Sequence, residues 1–159
     1  MSKKTFIFVV TTVVMSFFAA AVLFAGTTVQ DTFKMESKEY KTRKYNSATL
    51  THKKHVEEYK ANCGECHHDA NGKPLNDIKT GENVQKCIEC HKIPSRKPKK
   101  KKGEPKLTDE QRRAYHAEAL HDNCKACHKV FNKKVKKETG KKGKAPTSCN
   151  KCHPGGKIK

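Results

Sequence analysis

The chain is 159 residues long and carries 35 Lys and Arg against 16 Asp and Glu, a formal +19. Of its apolar residues 18 fall in the first 25 positions, and the following 134 positions hold only 15 Leu, Ile, Val or Phe. So little apolar area beside so much like charge does not offset the ordering entropy of the chain, which excludes an ordinary enzyme built on a hydrophobic core; the chain is disordered, or something other than side chains supplies its core.

Residues 1–25 read as a signal peptide or an uncleaved membrane anchor. Lys3 and Lys4 precede an apolar run from Phe6 to Ala25, broken only by Thr11, Thr12 and Ser16, and no charge follows until Asp31. Ala19-Ala20-Ala21 and Leu23-Phe24-Ala25 both fit a small-x-small cleavage site, while the run is also long enough to span a bilayer. Either reading places the remainder outside the cytoplasm, in the periplasm, soluble or tethered to the inner membrane through residues 6–25. Residues 26–48 are a polar N-terminal arm, a tether or short strand. Residues 49–159 form the functional domain.

Within that domain eight cysteines fall into four pairs of one form: Cys63-Gly-Glu-Cys66-His67, Cys87-Ile-Glu-Cys90-His91, Cys124-Lys-Ala-Cys127-His128 and Cys149-Asn-Lys-Cys152-His153. CxxCH is the attachment signature of c-type haem. Its two thiols form thioethers with one porphyrin, and the following imidazole meets the iron from the same side. The rival reading is a pair of zinc ribbons, a basic nucleic-acid-binding module, since Cys66 to Cys87 and Cys127 to Cys149 approach knuckle spacing. Zinc gives no reason for a His after every second Cys. Neither do disulfides. With 9 His in the chain, four such placements arise by chance on the order of once in 100,000. An export signal also argues against a nucleic-acid partner.

Five histidines lie outside the motifs: His52, His55, His68, His116 and His121. Four haems with two imidazoles each need four of them. That arithmetic favours six-coordinate iron, whose chemistry is one-electron transfer rather than bond making. The alternative is a multihaem enzyme with one open-coordinated haem. His52 and His55, three apart, share a face of a helical turn and serve two neighbouring haems rather than opposite sides of one iron. His68 diverges from its neighbour His67 and must meet a different haem.

From about Tyr45 to His153 this constellation resembles the class III c-type cytochromes, the tetrahaem cytochrome c3 family. His52-Lys-Lys-His55 matches the HxxH that precedes the first motif there, and His68 matches the second His directly after that motif. Leu120-His121-Asp122-Asn123-Cys124 looks like the approach to the third motif. The resemblance implies a small, mostly irregular fold with a few short α-helices, wrapped around four haems. It implies that His52 completes the haem of His67, His68 that of His91, and His55 that of His128. For the haem of His153 two residues compete; His121 is favoured, which leaves His116 as a solvent-facing helical residue or a proton-titrating group near a propionate. The chain departs from many members in having two-residue gaps in all four motifs, where they use four-residue gaps in the second and fourth. The function implied is electron relay between redox partners in anaerobic respiration, an electron carrier and not an enzyme.

Between motifs, Asn71-Gly72-Lys73-Pro74 and Thr80-Gly81 mark turns. Pro94, Pro98 and Pro105 bracket Lys99 to Lys102, and residues 94–107 read as a solvated, mobile linker. Thr108 and Gln111 form a capping box that opens the clearest helix. A second basic stretch covers Lys133 to Lys144. Without Lys3 and Lys4 the charge is 33 − 16 = +17, and four haems with ionised propionates lower it only to about +13 oxidised or +9 reduced. The surplus suits acidic docking surfaces on redox proteins. The resemblance implies a hydrogenase or similar dehydrogenase, or a membrane-bound cytochrome complex, docking on lysines around the fourth haem. An anionic membrane surface competes for the same charge.

Overall fold

The computed structural model describes residues 29–158, and the signal or anchor expected over residues 1–25 lies outside them. Residues 30–78 and 84–158 belong to one compact unit, to which the elements below belong. Strand β1 (Phe33–Lys34) pairs antiparallel with β2 (Thr49–Leu50), Phe33 opposite Leu50 and Lys34 opposite Thr49. The backbone then folds back on itself, with Met35 N donating to Ala48 O at 2.8 Å. An isolated bridge joins Tyr45 to Lys157, and Asn46 N donates to Gly156 O at 3.3 Å, so the last residues lie on this ribbon.

Helix α1 (His52–Glu57) and a 3-10 turn (Cys63–Glu65) follow, then α2 (Cys87–Cys90), α3 (Asp109–Arg113) and α4 (His116–Leu120). A π-helical turn (His121–Lys125) joins α4 to α5 (Ala126–Thr139), and α6 (Cys149–Cys152) ends the series. This is a small, mostly irregular fold with a few short helices.

The capping box at Thr108 forms: Gln111 N donates to Thr108 Oγ1 at 3.1 Å, and Thr108 N donates to Gln111 Oε1 at 2.9 Å. The helix it opens is nevertheless short. After Arg113 the chain turns extended at Tyr115, where a parallel bridge to Ile93 takes over the backbone groups. Ile93 N donates to Ala114 O at 3.0 Å and accepts at its own carbonyl from His116 N at 2.9 Å. Among the described residues the longest α-helix is α5 instead. Its lysines are good helix formers, and Lys134 pairs with Glu138 one turn on. Gly140 ends it in the left-handed region at φ 69°, donating to Lys136 O at 3.0 Å.

Among the described residues no apolar side chain is buried; the buried residues are His116 and Glu118. Those residues form no hydrophobic core of their own.

Candidate metal centres

Each CxxCH motif is one helical turn. His67 N donates to Cys63 O at 2.8 Å, His91 N to Cys87 O at 2.9 Å and His153 N to Cys149 O at 2.8 Å. The third motif occupies the junction of the π turn and α5. Residues three and four apart share one face of such a turn, so both thiols and the imidazole project to the same side. In the first motif Asn62 caps the turn by accepting from Gly64 N at 3.0 Å. A Cβ at Gly64 would overlap Asn76 Oδ1 and lie 2.9 Å from Pro74 Cβ. Any larger residue there has to displace the Asn76 side chain and press on Pro74.

The structure brings eight of the nine histidines together in four couples. Ring centres are 6.5 Å apart for His52 and His67, and 6.0 Å for His68 and His91. They are 6.1 Å apart for His55 and His128, and 6.2 Å for His121 and His153. α1 supplies both His52 and His55, one to the first motif and one to the third. The continuous run from α4 through the π turn into α5 supplies His121 to the fourth motif and Cys124, Cys127 and His128 to the third. The π turn adds one residue to that run, which turns His121 relative to Cys124. Arg112 holds the turn in place through an ion pair with Asp122.

Backbone carbonyls fix the tautomer of five of these rings. His55 Nδ1 donates to Thr51 O at 2.8 Å, and His68 Nδ1 to Asp69 O at 2.7 Å. His91 Nδ1 donates to Arg113 O at 2.6 Å, His128 Nδ1 to Pro146 O at 2.7 Å and His153 Nδ1 to Asn46 O at 2.6 Å. A carbonyl only accepts, so the proton sits on Nδ1 and the neutral ring keeps a lone pair at Nε2. Metal-binding histidines are oriented in this way. Burial pushes His67 and His121 below the ordinary imidazole value; His52 adds to the effect on His67, and Arg96 to that on His121. Both shifts favour the neutral ring, the form that ligates. None of these carbonyls was legible from residue types, because backbone atoms carry no sequence signal.

His116 differs from its sequence reading. It is not solvent-facing: it is 7% exposed, and its Nδ1 lies 3.0 Å from the Tyr40 hydroxyl in hydrogen-bond contact. The helical periodicity placed it away from His121, but the Ile93–Tyr115 bridge and Tyr40 of the N-terminal arm cover that side. Nearby Glu118 is 5% exposed and pairs with Arg96. Burial alone would raise its carboxyl, and Arg96 with the Lys97 N–H overcomes this and holds it below the ordinary value.

The thiols of different motifs gather near one another. Asn123 Nδ2 donates to Cys66 O at 3.3 Å, joining the third motif to the first. Crowding around Cys66 pushes its thiol up to about 11, with the Cys124 and Cys127 thiols adding to the effect. Burial likewise raises Cys87 and Cys124. No disulfide joins the eight. Among the described residues no three Cys, His, Asp or Glu side chains gather around a point fit for a bare metal ion.

The arrangement fits an iron porphyrin at each couple. Two imidazoles on opposite sides of one metal, each bonded at about 2 Å, put their ring centres roughly 6 Å apart. The observed separations, 6.0 to 6.5 Å, lie at that value, and each couple stands beside one CxxC turn with two thiols on the required face. In the comparisons with known proteins, the family model described as "Class III cytochrome C family" matches residues 28–153. No curated protein and no solved structure matches the chain.

Proposed function

The chain belongs to the class III cytochrome c family, and we propose that it is an exported electron carrier holding four haems, each between two imidazoles. The family carries electrons on covalently bound haem c. Cys63 and Cys66, Cys87 and Cys90, Cys124 and Cys127, and Cys149 and Cys152 would each attach one haem. His67, His91, His128 and His153 would ligate iron on the attachment side; His52, His68, His55 and His121 would do so opposite, in that order. An iron porphyrin held by two imidazoles supplies one-electron exchange and offers no open position to a substrate.

The four ring couples carry this reading, each at the spacing one metal requires. The residues around them do two things. Carbonyls on Nδ1 hold Nε2 as the donor and keep the ring from rotating. The helices that bring histidines to two motifs apiece, α1 and the α4–α5 run, would keep neighbouring haems close, which suits electron exchange within the chain. The apolar segment at residues 6–25 supports a periplasmic location, free or tethered. The exposed lysines of α5 and the turn after it support docking of acidic redox partners in anaerobic respiration, beside the third and fourth motifs.

The test is a pyridine haemochrome assay with intact mass on the exported protein. Four covalent haems per chain are expected, and a mass equal to bare polypeptide sinks the proposal. The oxidised spectrum should be wholly low-spin, and the dithionite-reduced spectrum should be indifferent to carbon monoxide. A carbon monoxide-binding fraction would instead indicate an open-coordinated haem and a small-molecule enzyme.

A further inference from the structure

The segment read as a solvated linker is anchored at both ends. At its start Ile93 is bridged to Tyr115, Ala117 N donates to Ser95 O at 3.3 Å, and Arg96 pairs with buried Glu118. At its end stands the Thr108 capping box. Both anchors adjoin the second motif, since His91 Nδ1 donates to Arg113 O at 2.6 Å. Between them the chain makes a turn in which Lys101 N donates to Glu104 Oε2 at 3.0 Å and Gly103 takes φ 89°.

Residues 97–106 hold six lysines and one acid. All six lysines are exposed, and among the described residues none takes part in an ion pair. The one acid, Glu104, is engaged with the backbone of the turn. The loop curves around a concavity of about 420 Å³ whose wall carries Lys97, Lys99, Lys100, Lys106 and Arg112 against the carboxylates of Glu104 and Asp109, a net positive lining. Ile93, just before the loop, and Leu107, at its end and on the wall of the concavity, add exposed apolar surface, 39% and 38% exposed.

We infer that this loop is a docking surface for an acidic redox protein, seated beside the His68–His91 couple and separate from the lysines of α5. The inference rests on the reading of the chain as an electron carrier. A curved loop with six lysines outside any ion pair, a net positive concavity and apolar residues at its two ends suits a protein interface, in which charge steers the encounter and the apolar contacts hold it. A membrane suits it less, because residues 94–107 include no aromatic side chain to enter the headgroup layer.

The test uses the haem-loaded protein and flavodoxin, a small acidic redox protein, as probe. At low salt, flavodoxin should shift the backbone amide resonances of residues 93–107. Replacing Lys99, Lys100, Lys101 and Lys102 together by Gln should weaken binding about tenfold and flatten its salt dependence, with the four-haem spectrum unchanged. The comparison variant replaces Lys133, Lys134, Lys136 and Lys137 by Gln and should leave the shifts at 93–107 in place. Shifts confined to α5, with the loop variant binding as tightly as the parent, overturn the inference and leave the carrier reading standing. Absence of binding at low salt overturns it as well. So does a loop variant that loses only its affinity for phosphatidylglycerol vesicles, which makes the loop a membrane contact. Failure of the carrier reading would show separately, as missing haem in the mass.

Discussion

The two halves of the unit hold their histidines by different means. From His116 to Thr139 one nearly continuous helical run carries His121, Cys124, Cys127 and His128, so helical geometry and one π turn set their directions. From Phe33 to His91 the same work falls to single turns, a two-residue ribbon and loops. There Asn62 caps a turn, Gly64 passes beneath Asn76, and carbonyls of Thr51 and Asp69 hold rings. The helical half stores its precision in periodicity, and the irregular half stores it in particular contacts. Register errors should therefore damage the first, and changes of single side chains the second.

Neither half buries an apolar side chain, so the largest effect expected is common to both. Chains produced without haem attachment should lack fixed tertiary structure, with near-random amide dispersion and flat near-ultraviolet dichroism. A compact, cooperatively unfolding apo chain would show that the polypeptide holds itself together. Next is the helical half. Deleting Asn123 removes the extra residue of the π turn and rotates His121 by about 100° relative to Cys124. One haem should then lose its low-spin signature by electron paramagnetic resonance, while the other three keep theirs. His121→Met should perturb the same single haem. His116→Met should leave all four spectra in place and only lower the unfolding midpoint, because its ring packs and hydrogen-bonds without facing another ligand.

In the irregular half, Gly64→Ala should cost about 2 kcal/mol of stability, through the overlap with Asn76 and Pro74. Thermal unfolding of the loaded protein measures it, and an unchanged midpoint would show that the loop yields. The smallest effect tests the strap between the halves. Glu118 is held below the ordinary carboxylate value, so its pair with Arg96 stabilises the fold above that value and is lost as pH falls through the lowered one. Because Arg96 is 63% exposed, the loss should be about 1 kcal/mol. Unfolding free energies from denaturant titrations at pH 6 and pH 3 should differ by that much more in the parent than in Glu118→Gln.

Local spacing in the sequence was enough for the attachment turns, because CxxCH and HxxH act within one helical turn, where residue number and direction are tied. Composition alone announced that side chains do not form the core. The family resemblance gave partners to the outlying histidines, and the ring couples stand in that same order. Tertiary structure alone decided the rest: the carbonyls on Nδ1, the Tyr115 break that shortens the helix begun at Thr108, the burial of His116, and the anchoring of the lysine loop beside His91. Each of these depends on backbone groups or on residues far apart in number. Every residue type carries the same carbonyl, and a helical period says which way a side chain points but not what comes to cover it.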